Sequence, residues 1–164
     1  MSDAPTHSTY AARVWEHPDL CVGIFGLQVL TEEGGRLYEE SGIQEQLIEA
    51  LSSSAEDGLL HTRMLQSEEG GLVMVYWRCY ADLDRWARRQ PHSLWWKWLV
   101  DHEGQGLGFY HEIYQAKAAE AVYTSGATPV GPGRFSSLEP IPSGKGYSRD
   151  RQQRFSDHQS SPTA

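Results

Sequence analysis

The stretch LVMVYWRCYADLDRWARRQPHSLWWKWLVDHEGQGLGFYHEIY, Leu72 to Tyr114, decides the fold. It opens on an apolar, β-branched and aromatic run of strand length, Leu72 to Tyr80, and ends on another, Leu107 to Ala116. Between them Asp82 stands where it can cap a helix whose apolar stripe includes Leu83 and Trp86, and Pro91 makes that helix kink or restart. The glycines between Gly104 and Gly108 end it. The segment therefore reads as strand, helix, strand.

Upstream the rhythm continues. Cys21 to Leu30, CVGIFGLQVL, is an apolar run of strand length. After a Glu/Gly turn, Ile43, Leu47, Ile48 and Leu51 recur at helical spacing, with Ser41, Gln44 and Glu45 as start signals. Gly58 to Leu65 is a further strand, and SEEGG (Ser67 to Gly71) turns it into the next as a hairpin. The order is β-α-β-β-α-β, a ferredoxin-like α+β unit. Such a unit leaves one sheet face without helices, yet the strands here are apolar on both faces. Burying that face against a second copy would give a homodimer whose sheets close into a dimeric α/β barrel, at about 25 cal/mol per Å² of apolar surface.

Outside this unit the composition changes. Residues 1–18 are polar with Pro5 and Pro18 and read as a flexible N-terminal arm, ahead of a domain over 19–124. Residues 125–164 are rich in Gly, Pro and Ser and read as a largely disordered tail, or one that orders against a partner subunit. The 164 residues carry a formal charge of −8, which argues against nucleic acid as a partner. Arg85, Arg88 and Arg89 share a helix with Asp82 and Asp84 and read as a paired, solvated face. No apolar run approaches the roughly 20 residues of a membrane span, and no secretory signal is visible. Cys21 and Cys79 sit in apolar runs and read as free thiols of a cytoplasmic protein.

The motifs carry a resemblance. The run YWRCYADLDRWARR, His92 with its tryptophans, and GFYHEIYQ followed by Glu120 and Tyr123 resemble the family known as domain of unknown function 4188, whose members are described as monooxygenase-like and placed in the dimeric α/β-barrel superfamily. Tyr76, Trp77, Arg78, His92, Trp96, His111, Glu112, Tyr114, Glu120 and Tyr123 occupy the recurring positions; Phe109–Tyr110 departs from the aliphatic–Trp pair common there. The resemblance implies a small-molecule site. Superfamily members include cofactor-free oxygenases of electron-rich aromatics, haem proteins such as haem-degrading monooxygenases and aldoxime dehydratases, and isomerases or cyclases; fold alone does not choose among them.

The candidate residues follow from chemistry and alternation. His111 points to the sheet face opposite to Tyr110, Glu112 and Tyr114. It is a general base, a haem ligand, or a hydrogen-bonded core histidine. Glu112 and Tyr114 form either a polar catalytic site or a structural anchor, with Arg78 as the expected partner of the carboxylate. His92 and Trp96 lie one helical turn apart, so His92 is a second candidate for the haem iron, or a half-exposed residue at a helix start. Trp95, Trp96 and Trp98 cannot all face one way; Trp96 and Trp77, with Phe25, are candidate linings for a flat ligand. The remaining histidines, His7, His17, His61, His102 and His158, form no metal triad, and no phosphate loop, nucleophile elbow or dinucleotide motif is present. The expectation is a small-molecule oxidoreductase of monooxygenase-like type that binds haem between sheet and aromatic helix and takes a small hydrophobic or aromatic substrate. A cofactor-free oxygenase, a haem-dependent dehydratase of aldoxime dehydratase type, and a ligand-binding module without turnover are the alternatives.

Overall fold

The structure, a computed structural model, describes residues 9–68, 70–142, 145 and 147–159. In chain order it contains β1 (Thr9–Ala12), β2 (Cys21–Val29), α1 (Glu32–Ser41), α2 (Ile43–Ser52), β3 (Leu59–Ser67), β4 (Gly70–Trp77), α3 (Tyr80–Ala87), α4 (His92–Asp101), β5 (Leu107–Gln115), β6 (Val122–Thr124), β7 (Leu138–Ile141) and α5 (Ser148–Gln159). Short 3-10 turns lie at Val14–Glu16 and Gly131–Arg134. The chain divides into two compact units, Asp19–Gln115 and the segments that flank it.

The unit Asp19–Gln115 has the ferredoxin-like fold. Its sheet runs β3-β4-β2-β5, all neighbours antiparallel. β2 is central: Cys21 pairs with Trp77 on one side and Gln115 on the other, and Phe25 pairs with Val73 and His111. Because side chains alternate, Cys21, Phe25, Val73, Val75, Trp77 and His111 share one face. That face meets the helices in a core of Cys21, Ile43, Leu51, Leu59, Val75, Trp77, Leu83, Trp86 and Trp95. Trp77 is fully buried and lies 5.4 Å from the ring of Trp86. The Trp86 indole N–H donates to the Ser54 hydroxyl at 2.8 Å, which donates in turn to the Ala50 carbonyl. The large ring is thus buried with its polar atom satisfied, tying α3 to α2.

Two features differ from the sequence reading. The Glu/Gly turn is a helix, α1. It lacks an apolar stripe, but the Thr31 hydroxyl caps it by accepting from Gly34 N at 3.1 Å, and Arg36 pairs with Glu33 and Glu40. Gly34 lies so close to the Gly106 backbone that any Cβ would collide with it, and Gly42, at φ +65°, breaks α1 from α2. Second, Asp82 is not the cap of α3, a position held by Cys79. Asp82 is buried in the first turn, where it accepts from Arg78 Nε at 2.7 Å and from Arg85. Pro91 does restart the helix: α3 ends at Ala87 and α4 begins at His92.

The flanking unit contains a small sheet ordered β6-β1-β7, in which Tyr10 pairs with Tyr123 and with Pro140. The arm read over 1–18 therefore holds a strand from Thr9, and the region read as a tail holds β7 and α5. Local composition concealed this because β1 is completed by strands more than a hundred residues away, a long-range gain that does not show in a Gly/Pro-rich window. β6 pairs with β1, so the ferredoxin-like unit ends at Gln115 and not at 124. Residues 1–8, with His7, and 160–164 lie outside the described residues. Among the described residues no helix is long and apolar enough to cross a membrane.

The Asp82 cluster gives a stability prediction. Its hydrogen bond from Arg78 is the main cause holding the Asp82 carboxyl below the usual 3.8, against a desolvation penalty. A depressed acid stabilises the fold at pH above its unfolded value, and this contribution is lost as pH falls through its folded value, below 3.8. Asp82→Asn should cost about 1.5–3 kcal/mol in urea unfolding at pH 7, and the difference from wild type should shrink in acid below that point. Equal stability at pH 7 would show that the buried carboxylate contributes nothing.

Candidate functional site

A cavity of about 130 Å³ lies within the ferredoxin-like unit, between the helix-covered sheet face and α1, α2 and α4. The sheet supplies Phe25, Leu27, Val73, Phe109 and His111; the helices supply Tyr38, Ile43, Leu47, His92, Trp95, Trp96 and Leu99. Alternation on β2 and β5 places Phe25 and His111 side by side, their rings 6.4 Å apart. The His92–Trp96 spacing on α4 presents both to the same space. The His111 ring stands 6.4 Å from Trp96, and Trp96 5.4 Å from Phe109. Trp96, Phe109 and His111 are exposed, so the cavity reaches solvent at this end.

The inner end is closed by aromatic packing. His92 lies 5.0 Å from the Trp86 ring and 6.0 Å from Trp95. Trp95 is 6% exposed, and its indole N–H donates to Gln46 Oε1 at 3.0 Å, bracing α4 against α2. His92 Nδ1 lies 2.9 Å from the Ala87 carbonyl oxygen. A carbonyl only accepts, so Nδ1 carries the proton and Nε2 of the neutral ring carries the lone pair. Burial is the largest influence on this imidazole and pushes its pKa below the usual 6.5; the Ala87 hydrogen bond works the other way, and the nearby His111 adds to the lowering.

The site brings together His92, His111 and Trp96 and separates them from the other expected residues. Trp77 lines no part of the cavity; it is a core residue against Trp86, because its place opposite Cys21 puts it at the far end of β4. Arg78 does not pair with Glu112. Glu112 stands opposite Ile24, which is opposite Met74, four residues along the strand from Arg78, or roughly 13 Å at 3.3 Å per residue. Arg78 instead binds Asp82, one helical turn on. Glu112 accepts from the Tyr114 hydroxyl at 2.7 Å, which raises the Tyr114 pKa, and both side chains are exposed on the opposite sheet face. His61 and Arg63 belong to that same face, and His61 stacks on Tyr76. Gln46, Tyr38 and Leu99 were missed by sequence reasoning. Gln46 carries no signal of its own in the sequence, and its role depends on α4 packing across α2. No group of three or more His, Cys, Asp or Glu among the described residues is placed to hold a metal ion.

The His92 geometry is directly checkable. In ¹⁵N-resolved NMR its neutral ring should show the Nδ1–H tautomer and titrate below 6.5. The fold should gain from the neutral ring above pH 6.5 and lose that contribution as pH falls through the lower folded value. An Nε2–H tautomer or a midpoint above 6.5 would contradict the arrangement.

Comparison with known proteins agrees with this architecture. A crystal structure of the aldoxime dehydratase OxdRE in complex with butyraldoxime is similar at a TM-score of 0.65 and 21% identity, covering 95% of this chain and 45% of that one. A second aldoxime dehydratase structure is similar at 0.63 and 23%, covering 97% and 48%. The chain thus spans about half the length of these enzymes. SnoaB, a cofactor-independent oxygenase from Streptomyces nogalater, aligns at 0.45 and 10% over 62% of this chain and 96% of that one. The two aldoxime dehydratase likenesses, both under 25% identity, concern the fold alone. A search of curated proteins finds no match. The sequence matches the monooxygenase af470-like family over residues 34–131, more than half its length, and the chain belongs to that family.

Proposed function

We propose that the chain is a small-molecule oxidoreductase of the monooxygenase-like type, working in the cavity between β2, β5 and α4. One observation carries this reading: two histidines, one with a fixed neutral tautomer, face a single aromatic cavity whose lining side chains include no Asp, Glu, Lys or Arg. Burial in such a low-dielectric space disfavours charge on the inner imidazole and keeps His92 in its neutral, accepting form. His111, at the open end, is the proposed general base, and His92, at the closed end, the proposed acceptor that orients the substrate. Membership of the monooxygenase af470-like family supports dioxygen as the proposed oxidant. The resemblance of the Val75–Tyr123 motifs to the domain of unknown function 4188 family belongs to this proposal. Arg78, Glu112, Tyr114 and Trp77 have no part in the site so proposed.

Haem is tested by the same cavity. The donor set suits an iron: His92 Nε2 has its lone pair, and the Ala87 carbonyl would fix the ring as outer partners of ligating histidines do. The space does not suit the macrocycle. Cavities that bury drug-sized ligands run to roughly 300–1,000 Å³, and a porphyrin is larger than most of these, whereas this one holds about 130 Å³. No lining cation is present to meet the macrocycle's carboxylates. The residues do not fit haem, so the reading favoured here is the cofactor-free one.

A homodimer is part of the proposal. The aldoxime dehydratases are about twice as long, and a second copy would supply the missing half. The sheet face away from the helices, with Ile24, Met74 and Glu112, is the proposed contact; sedimentation as an 18.5 kDa monomer would remove it.

The function is tested by dioxygen uptake with a panel of small phenols and related aromatics. His111→Ala should lower kcat by about 10²–10⁴-fold, the range lost with a general base. Uptake unchanged in that variant would exclude His111 from the chemistry.

A further inference from the structure

We infer that the cavity selects a neutral, single-ring molecule that donates one hydrogen bond to His92. The inference deepens the proposed function and rests on it only for the reaction that follows binding. Three observations carry it.

The first is size. A cavity of roughly 150 Å³ walled by apolar side chains takes a benzene molecule, and this one holds about 130 Å³. Its closed end is rigid, since Trp95 is buried against Trp86 and held by Gln46. A second fused ring has no room at the closed end without displacing this wall, and one left at the mouth stays exposed to solvent beside Trp96 and His111. The second observation is charge. A carboxylate or ammonium group entering past Trp96 and Phe109 would leave water without a lining counter-charge, a transfer that costs several kcal/mol. The ligand is therefore neutral when it binds. The third is the polarity of the imidazole at the closed end. His92 Nδ1 is occupied by the Ala87 carbonyl, so the neutral ring offers the cavity an acceptor and not a donor. A ligand hydroxyl satisfies it; an ether oxygen of the same shape leaves it unpaired. A phenol meets all three conditions, while benzoate fails on charge, anisole on hydrogen bonding and 1-naphthol on size.

The experiment is equilibrium binding of these four compounds to the full-length protein at pH 8, followed by quenching of tryptophan fluorescence and confirmed by calorimetry. Phenol should bind saturably. Anisole should bind about tenfold more weakly, benzoate at least about a hundredfold more weakly, and 1-naphthol clearly more weakly than phenol. His92→Phe, which keeps an aromatic ring against Trp86 and Trp95, should bring phenol and anisole within about twofold of each other. Leu99→Trp, which fills the cavity, should abolish saturable binding. Benzoate or 1-naphthol binding as tightly as phenol, or a phenol-to-anisole ratio near one in the wild type, overturns the inference even where a variant fails to fold. Phenol binding with the expected order but without dioxygen uptake on any compound would leave this specificity standing and remove the oxidoreductase reading.

Discussion

The antiparallel register of β2 is the constraint on which the rest depends. The strand is held on both sides, with Phe25 opposite Val73 and His111, and its alternation decides which side chains meet the helices. A slip of one residue against β5 would exchange His111 for Glu112 on the cavity face, replacing a neutral imidazole with a carboxylate in an apolar space. The register is fixed by burial: Cys21, Val75 and Trp77 are almost wholly withdrawn from solvent on the helix side. The same burial that stabilises the core thereby positions the proposed base.

Charge is kept away from the cavity and gathered elsewhere. Asp82 with Arg78 and Arg85, and Asp84 with Arg88, are satisfied by partners within one turn of α3. Glu112 and Tyr114 satisfy each other on the opposite face. What remains facing the cavity is aromatic and aliphatic surface with two imidazoles, one half-buried and one at the mouth. This partition explains why a site for neutral molecules is a better account than one for anions, and why the imidazole with the lowered pKa is the inner one.

Much of this was legible in the sequence because it depends on local periodicity. The strands, the restart of the helix after Pro91, and the opposite orientation of His111 and Glu112 follow from spacing alone. The sequence reading failed where stability comes from partners that spacing does not reveal. α1 is a helix by its cap, its ion pairs and the close approach of Gly34 to Gly106, not by an apolar stripe. Arg78 was assigned to Glu112 because a buried carboxylate needs a cation, but Glu112 is exposed and the buried carboxylate is Asp82. Trp77 and Trp96 look alike in sequence, and only their positions along the sheet make one core and the other lining. The small sheet of the flanks pairs residues at opposite ends of the chain and leaves no local trace.

In the function proposed, the His92–His111 cavity is a small, uncharged site that works without a macrocycle. The most direct measurement is a visible titration of the purified protein with haem at increasing ratio, repeated with His92→Ala and His111→Ala. No saturating Soret band should appear at one haem per chain, and the three proteins should not differ. A stoichiometric Soret band that is lost or shifted when either histidine is replaced would contradict this and restore haem to the site.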